Sequence, residues 1–309
     1  MKIVFMGTPS FAVPSLKSLQ QSSHELRGVV TVPDCRKGRG LKIRPSPVKK
    51  VAEDLGLPVV QPENLKDESF LAELENFRVE CFVVVGFCIL PPVIFNMPPY
   101  GSVNLHASLL PKYRGAAPIQ WVLIKGEEQT GVTTFLIKKK VDTGNILLQE
   151  SLKIQKNDTA GTLHDKLARL GADLLVKTVD LIETGKVSPK PQKGESSRAP
   201  KIYTEMGKIN WNNPADDIVN LSRGFSPRPG VFTFLGNKRV KLFKAEVLDE
   251  HSSNHFKPGT IVNASRHGLD VNTGKGIVRF KEIQLEGKKK MDCCDFIQGA
   301  HIADGEKFE

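Results

Sequence analysis

Short apolar runs of strand length recur through the first 185 residues, at 3–6, 26–32, 82–86, 102–106, 132–137 and 146–154. Helical stretches lie between several of them. Ser46-Pro47 predicts one helix start, with Ser as the cap and Pro at the first helical position, and Gly56 stands beyond its end. A second helix is predicted from about 162 to 183. It carries Leu163, Leu167, Leu170, Leu174 and Leu181 on one side, with Gly185 past its end. Alternation of this kind predicts an α/β fold, a Rossmann-like, mainly parallel sheet with helices on both faces. The longest apolar run, 81–90, falls short of the ~20 residues a membrane span needs. It is closed by Pro91-Pro92 and reads as a buried strand.

The texture changes after residue 185. Residues 186–203, rich in Pro, Ser and Gly, read as a linker. One helix follows, about 214–223. Short β-like runs then come at 231–235, 240–247, 259–262, 268–271 and 277–285, separated by Gly, Asn and Pro. They predict a small antiparallel barrel or sandwich of about 100 residues. The expected division is a first domain over 1–185, a linker over 186–203 and a second domain over 204–309.

Charge adds more to this picture than composition does. Lys and Arg number 44 against 34 Asp and Glu, a net charge of +10, which favours a polyanionic partner, with nucleic acid first. Residues 35–50 hold Arg36, Lys37, Arg39, Lys42, Arg44, Lys49 and Lys50 with no acid among them, and Lys288–Lys290 form a second cluster. A solvated basic surface is the plainer reading of each run and stands beside the first. The five cysteines show no zinc-like spacing, so no metal is expected and a reduced compartment fits. Met1 leads directly into the first strand with no signal-like segment ahead of it, so a cytoplasmic location is expected.

The candidate chemistry lies in residues 101–115, GSVNLHASLLPKYRG. On a strand over 102–106, Asn104 and His106 face the same side, because side chains alternate. The C-terminal ends of such strands are where open α/β sheets bind ligands. Either residue alone is readily a satisfied core residue. The pair, followed at once by a Leu-Leu-Pro turn and Arg114-Gly115, points to a site. Downstream, Asp142-Thr143-Gly144 alone is an ordinary Asx turn. It also matches the tripeptide of aspartic proteases, but these need two carboxylates and this chain offers one such tripeptide. Asn, His and Asp in one pocket suit acyl transfer to an amine. Amide and imidazole N–H groups can stabilise the oxygen that gains negative charge, and His106 with Asp142 can move the protons. A nucleotide-dependent oxidoreductase is excluded at the first turn, where Gly7-Thr8-Pro9-Ser10 lacks the G-x-G-x-x-G cradle.

With these residues in view, VNLHASLLPKYRGAAPIQW, followed by TGVT and VDTG, resembles the signature of the 10-formyltetrahydrofolate-dependent formyltransferases. FMGTPSFAVPSL, GRGLKIRPSPVK and RGFSPRPGVFTF narrow the resemblance to the branch that formylates initiator methionyl-tRNA, over almost the whole chain. The resemblance implies that Asn104, His106 and Asp142 are catalytic. It implies a folate-site loop at Ser108, Leu109, Leu110 and Pro111, and a pterin pocket around Phe87, Ile89 and Leu90. It further implies that Arg36, Lys37, Arg39, Lys42 and Arg44 contact tRNA from a basic loop, Arg39 foremost, and that an OB-type barrel helps to hold the tRNA. 10-Formyltetrahydrofolate would be the donor, with no metal, and a monomer is the simplest state. Lys138-Lys139-Lys140 and Asn145 depart from the family pattern, where acids are commoner. Related enzymes that formylate glycinamide ribonucleotide or an amino-sugar nucleotide share the chemistry but have no need of the basic loop joined to a barrel. A non-catalytic nucleic-acid-binding protein has no need of the Asn/His/Asp set.

Overall fold

The computed structural model describes residues 1–37, 42–249, 256–300 and 304–309. The chain divides into two compact units. The first comprises Met1–Ala116, Gln129–Lys153 and His164–Ala199, the second Ala117–Glu128, Ile154–Leu163 and Pro200–Glu309.

Up to the candidate site the elements are β1 (Lys2–Gly7), α1 (Ala12–Gln21), β2 (Glu25–Val30), β3 (Cys35–Lys37), β4 (Lys42–Arg44), α2 (Pro47–Asp54) and β5 (Val59–Val60). Then come α3 (Glu68–Asn76), β6 (Cys81–Val85), α4 (Pro92–Phe95) and β7 (Ser102–His106). Beyond it lie α5 (Pro118–Ile124), β8 (Gln129–Leu136), β9 (Ile146–Lys153) and α6 (Ala160–Glu183). Seven strands of the first unit form one sheet in the order β5-β2-β1-β6-β7-β8-β9. Neighbours run parallel from β5 to β7, and β8 and β9 are antiparallel additions at that edge. Strand β6 is buried at every position, which is why it reads as an unbroken apolar run rather than an alternating one. The predicted cap is present, with Ser46 Oγ accepting from the Lys49 N–H at 3.0 Å. Gly185 follows α6 at φ 67°, the left-handed turn that stops helices.

One expectation is corrected. The apolar run 81–90 is not a strand throughout, because Gly86 at φ 59° turns the chain after Val85. A Cβ on Gly86 would lie 2.7 Å from the Pro9 ring. Ile89 is consequently 75% exposed. The stretch 186–203 also carries more structure than its composition suggests. Lys190 exchanges two backbone hydrogen bonds of 2.8 Å with Ile146, and residues as far as Ala199 belong to the first unit.

The second unit contains α7 (Ala215–Phe225), β10 (Val231–Leu235), β11 (Lys238–Asp249), β12 (Ile261–Ser265), β13 (Gly268–Asn272), β14 (Ile277–Leu285), β15 (Met291–Asp292) and α8 (Cys293–Ala300). Its strands run antiparallel in the order β10-β11-β14-β13-β12, with β15 beside β14. The chain end bridges the two edges of this path: Leu235 pairs with Phe308, and Thr260 pairs with Lys307. Such closure removes the open edges that an antiparallel sheet otherwise exposes. Phe308 is fully buried and stacks on Trp211 at 5.7 Å, while the indole N–H donates to Thr233 Oγ1 at 3.0 Å. A closing segment this short has no period to read, so the sequence pattern does not announce it. Among the described residues, no helix is long and apolar enough to cross a membrane.

Phe308→Ala should destabilise the chain by about 3–5 kcal/mol. The measurement is a urea melt, where a lower midpoint is expected. An unchanged midpoint would show that the chain end contributes little to the barrel.

Candidate active site

Strand β7 sits between parallel β6 and antiparallel β8, with Val84 opposite Asn104 on one side and Thr133 opposite His106 on the other. Asn104 is half-buried and His106 is buried. The ring of His106 is pinned at one end, its Nε2 lying 2.9 Å from the carbonyl oxygen of Tyr113. A carbonyl only accepts, so Nε2 carries the proton of the neutral ring and Nδ1 is left as the nitrogen that can gain one. That Nδ1 lies 3.8 Å from Asp142 Oδ2, a close electrostatic neighbour beyond direct hydrogen-bond length.

Asp142 is held from below. Its Oδ2 accepts the Gly115 N–H at 2.8 Å, and its backbone has φ 52°, a left-handed conformation that Asp tolerates better than most residues. Gly115 is required where it stands. Its φ is 126°, and a Cβ there would fall 2.5 Å from the Ala199 carbonyl oxygen.

Asn104 and Asp142 line a cavity of about 110 Å³ together with Phe87, Leu90, Phe135 and Lys139. A second cavity of about 440 Å³ shares Ile89, Leu90 and Lys139 with it. The predicted residues Phe87, Ile89 and Leu90 therefore gather around the polar pair. Ser108, Leu109, Leu110 and Pro111 are not among the residues lining the cavity. Ser108 is buried with its hydroxyl on the Lys112 carbonyl at 2.6 Å, and buried Leu110 accepts from Gln149 Nε2 at 2.9 Å through its carbonyl. Thr133 ties this loop to β8, donating to the Ser108 carbonyl at 2.7 Å. Lys138 donates to Asn145 Oδ1 at 3.0 Å, so the two departures from the family pattern contact each other. A cavity of about 780 Å³ lies in the second unit, with Lys208, Lys257 and Lys307 in its wall. It contains no Asn/His/Asp grouping, so size alone does not find the chemistry. No cluster of His, Cys, Asp and Glu among the described residues could hold a metal ion.

Within the basic stretch 33–46, β3 and β4 form an antiparallel ladder. Cys35 pairs with Arg44 and Arg36 with Ile43, and both arginines are exposed. Lys37 and Lys42 pair at the far end of this ladder, and Arg39 lies outside the described residues. The root is fixed by a Thr31–Ser46 hydroxyl contact of 2.7 Å and by Lys49 on Asp34 at 2.7 Å. Hydrogen bonds from Lys49 and then Gln61 hold the Asp34 carboxyl below its ordinary range. In the second cluster all three lysines are exposed, and Lys290 is also engaged with Glu282 and lies over the Phe243 ring.

Sequence reasoning placed Tyr113, Arg114 and Gly115 within the candidate segment 101–115 without giving them a role, and it missed Gln192 as part of this site. The first three adjoin the motif. Gln192, in a Pro-, Ser- and Gly-rich stretch, gives no signal in a single sequence.

A family model described as formyl transferase matches residues 1–179, and one described as formyl transferase, C-terminal domain, matches residues 201–301. A Methionyl-tRNA formyltransferase from Caldanaerobacter subterraneus subsp. tengcongensis is 48% identical over 308 residues, 99% of this chain and 99% of its own. One from Thermodesulfovibrio yellowstonii is 48% identical over 98% of this chain and 97% of its own. The solved structure of HypX from Aquifex aeolicus in complex with tetrahydrofolic acid resembles 96% of this chain at a TM-score of 0.65 and 16% identity. This chain spans 47% of HypX, about half its length, and the likeness is one of fold.

The cysteines give a direct check on the cavity. Cys88 lines it and is exposed, as is Cys35, whereas burial pushes the Cys81 and Cys293 thiols up to about 12. Iodoacetamide at about pH 8 should label Cys88 and Cys35 and spare Cys81 and Cys293 in a peptide map. Prompt labelling of Cys81 would contradict a closed β6.

Proposed function

As a member of the formyl transferase family, this chain, we propose, transfers the formyl group of 10-formyltetrahydrofolate to the amino group of initiator methionyl-tRNA. The product is formylmethionyl-tRNA, the aminoacyl-tRNA that starts translation. The observation that carries this reading is that Asn104 and Asp142 line one cavity while His106 Nδ1 stands 3.8 Å from Asp142 Oδ2, in a chain that matches enzymes of that name over 98–99% of its length.

The residues present fit the folate. Phe87, Leu90 and Phe135 offer apolar wall to a flat ring, Asn104 and Asp142 offer polar groups, and Lys139 suits an anionic end. Bound there, the folate supplies the formyl carbon. The amide N–H of Asn104 is suited to stabilise the oxygen on which negative charge builds, an interaction worth most in a site shielded from water. The acceptor amine is itself the nucleophile, so no serine or cysteine need form a covalent bond. Its proton leaves toward the Asp142–His106 pair. With Nε2 fixed as a donor, Nδ1 is the ring atom that would take up the amine's proton and return it to the folate nitrogen that leaves as its bond to the formyl carbon breaks, with the Asp142 carboxylate stabilising the charged ring.

For the tRNA, Arg36, Lys37, Arg39, Lys42 and Arg44 supply cations from the basic stretch 33–46, and Lys208, Lys257 and Lys307 supply them in the second unit. We assign phosphate contacts to both sets, Arg39 leading the first. This division gives the chemistry to the N-terminal domain and much of the tRNA hold to the C-terminal barrel. A monomer acting in the cytoplasm, where charged tRNA is made and used, completes the reading.

The direct test is incubation with 10-formyltetrahydrofolate and Met-tRNA, beside uncharged tRNA and free methionine as acceptors. Formylation of Met-tRNA alone is expected. His106→Ala should lower the transfer rate by about 10³-fold or more with tRNA affinity nearly unchanged. A matching loss of affinity would instead put His106 in the tRNA grip. Arg39→Ala should raise KM for Met-tRNA, leave folate binding intact, and make the salt dependence of tRNA binding shallower by about one unit of log–log slope. An unaltered rate at limiting tRNA refutes the role given to Arg39.

A further inference from the structure

The two halves of the catalytic pair are fastened to one remote segment. Residues 190–199 run along the site within the first unit. Lys190 pairs with Ile146 at the start of β9. Two residues on, Gln192 Nε2 donates to the carbonyl oxygens of both Asp142 and Gly144, each at 2.9 Å. Its Oε1 accepts from the Arg114 guanidinium, with Nε at 3.1 Å. Further along, Ser197 Oγ accepts the Tyr113 N–H at 2.9 Å, and the Ser197 carbonyl accepts the Arg114 N–H at 2.9 Å. Ala199 N–H closes the segment on the Arg114 carbonyl at 2.7 Å.

Every residue that these bonds reach adjoins the chemistry. Tyr113 supplies the carbonyl that pins His106, and Gly115 supplies the N–H that holds the Asp142 carboxylate. Asp142 itself sits at φ 52°, a conformation that persists in a non-glycine residue only when its surroundings fix it. Gln192 is a side chain from outside the turn that bonds to its backbone. Its amide donor spans the carbonyls on either side of Thr143, and its amide oxygen locks Arg114, the residue between Tyr113 and Gly115.

We propose that Gln192 is a positioning residue for the Asp142–His106 pair, a clamp from the 190–199 segment that sets where the Asp142 carboxylate stands relative to His106 Nδ1. The proposal rests on the formyl-transfer reading for its kinetic consequence, but not for its geometry. A glutamine is specifically suited. It offers donors to two carbonyls and an acceptor to a guanidinium from one planar group, a combination that neither glutamate nor lysine provides.

The test compares Gln192→Ala and Gln192→Glu with the unaltered full-length chain. Glutamate is nearly isosteric and keeps an acceptor for Arg114, but has no donor for the Asp142 and Gly144 carbonyls. Both variants should lower kcat on the order of 10- to 100-fold, the penalty of a displaced catalytic group. KM for Met-tRNA should stay within about twofold, since the clamp does not grip the acceptor. Hydrogen exchange at the Gly115 amide, which reads its bond to Asp142 without any turnover, should accelerate in both variants. Wild-type kcat together with wild-type Gly115 protection in Gln192→Glu would overturn the proposal, because the contact to Arg114 would then suffice. Unchanged kcat in a folded Gln192→Ala would overturn it as well. Failure of the unaltered chain to formylate Met-tRNA would sink the formyl-transfer reading instead. In that event unaltered Gly115 exchange in both variants would still refute the clamp, and accelerated exchange would support it.

Discussion

The carbonyl of Tyr113 takes a hydrogen bond from His106 Nε2 at 2.9 Å, and because a carbonyl cannot donate, the neutral ring has one available tautomer. The unprotonated nitrogen therefore faces Asp142, whose carboxylate stands 3.8 Å away. This arrangement puts the proton-accepting nitrogen of the neutral ring on the side of the carboxylate. Without the pin, the ring could present its N–H to the carboxylate, and its basic nitrogen would point at the backbone. Bonds from neighbouring segments hold Tyr113 and Asp142 in place around the ring.

The sheet provides the first half of that constraint. Asn104 and His106 share a face of β7 by simple alternation, and β7 is held on both sides, in parallel register by β6 and antiparallel by β8. The second half comes from irregular backbone. Asp142 lies between β8 and β9 in a left-handed turn, and its carboxylate is tied to the Gly115 N–H from the segment after β7. Side chains on strands inherit their placement from the ladder. Side chains on turns must be fixed bond by bond, which explains why hydrogen bonds crowd around Asp142 and 113–115.

This difference also explains what was legible in the sequence. The longer strands of both units were readable because their apolar patterns persist over several residues, and α2 and α6 because their ends are chemically distinctive, at Ser46 and Gly185, whereas the short β3, β4, β5 and β15 show no such pattern. Asn104 and His106 could be placed together from period two alone. Asp142 could be joined to them only through the resemblance of its motif, since no pattern predicts a contact across 36 residues of sequence between His106 and Asp142. The end of β6 was misread because five apolar residues buried in a strand and the following apolar stretch on a cavity rim have the same composition, and only the turn at Gly86 separates them. Phe308 and Gln192 escaped notice for a related reason. Each acts through one remote contact set from a segment too short or too polar to show a period.

Charge in this molecule is divided by depth. Arg36, Arg44 and the lysines at 208, 257 and 307 are exposed, so their pull on a polyanion is screened over about 8 Å at physiological ionic strength. His106 is buried, and Asp142 is largely shielded with it, so salt reaches their interaction far less. Raising ionic strength thus weakens the pull of the exposed cations on a polyanion far more than it weakens the interaction of His106 with Asp142. Lys139 stands between these regimes, on the wall shared by the two cavities, where a basic side chain favours an anionic ligand without displacing the Asp142 carboxylate from Gly115. The lysine run before Asp142 therefore adds attraction at the cavity rim while leaving the geometry behind it to the hydrogen bonds of 113–115 and Gln192.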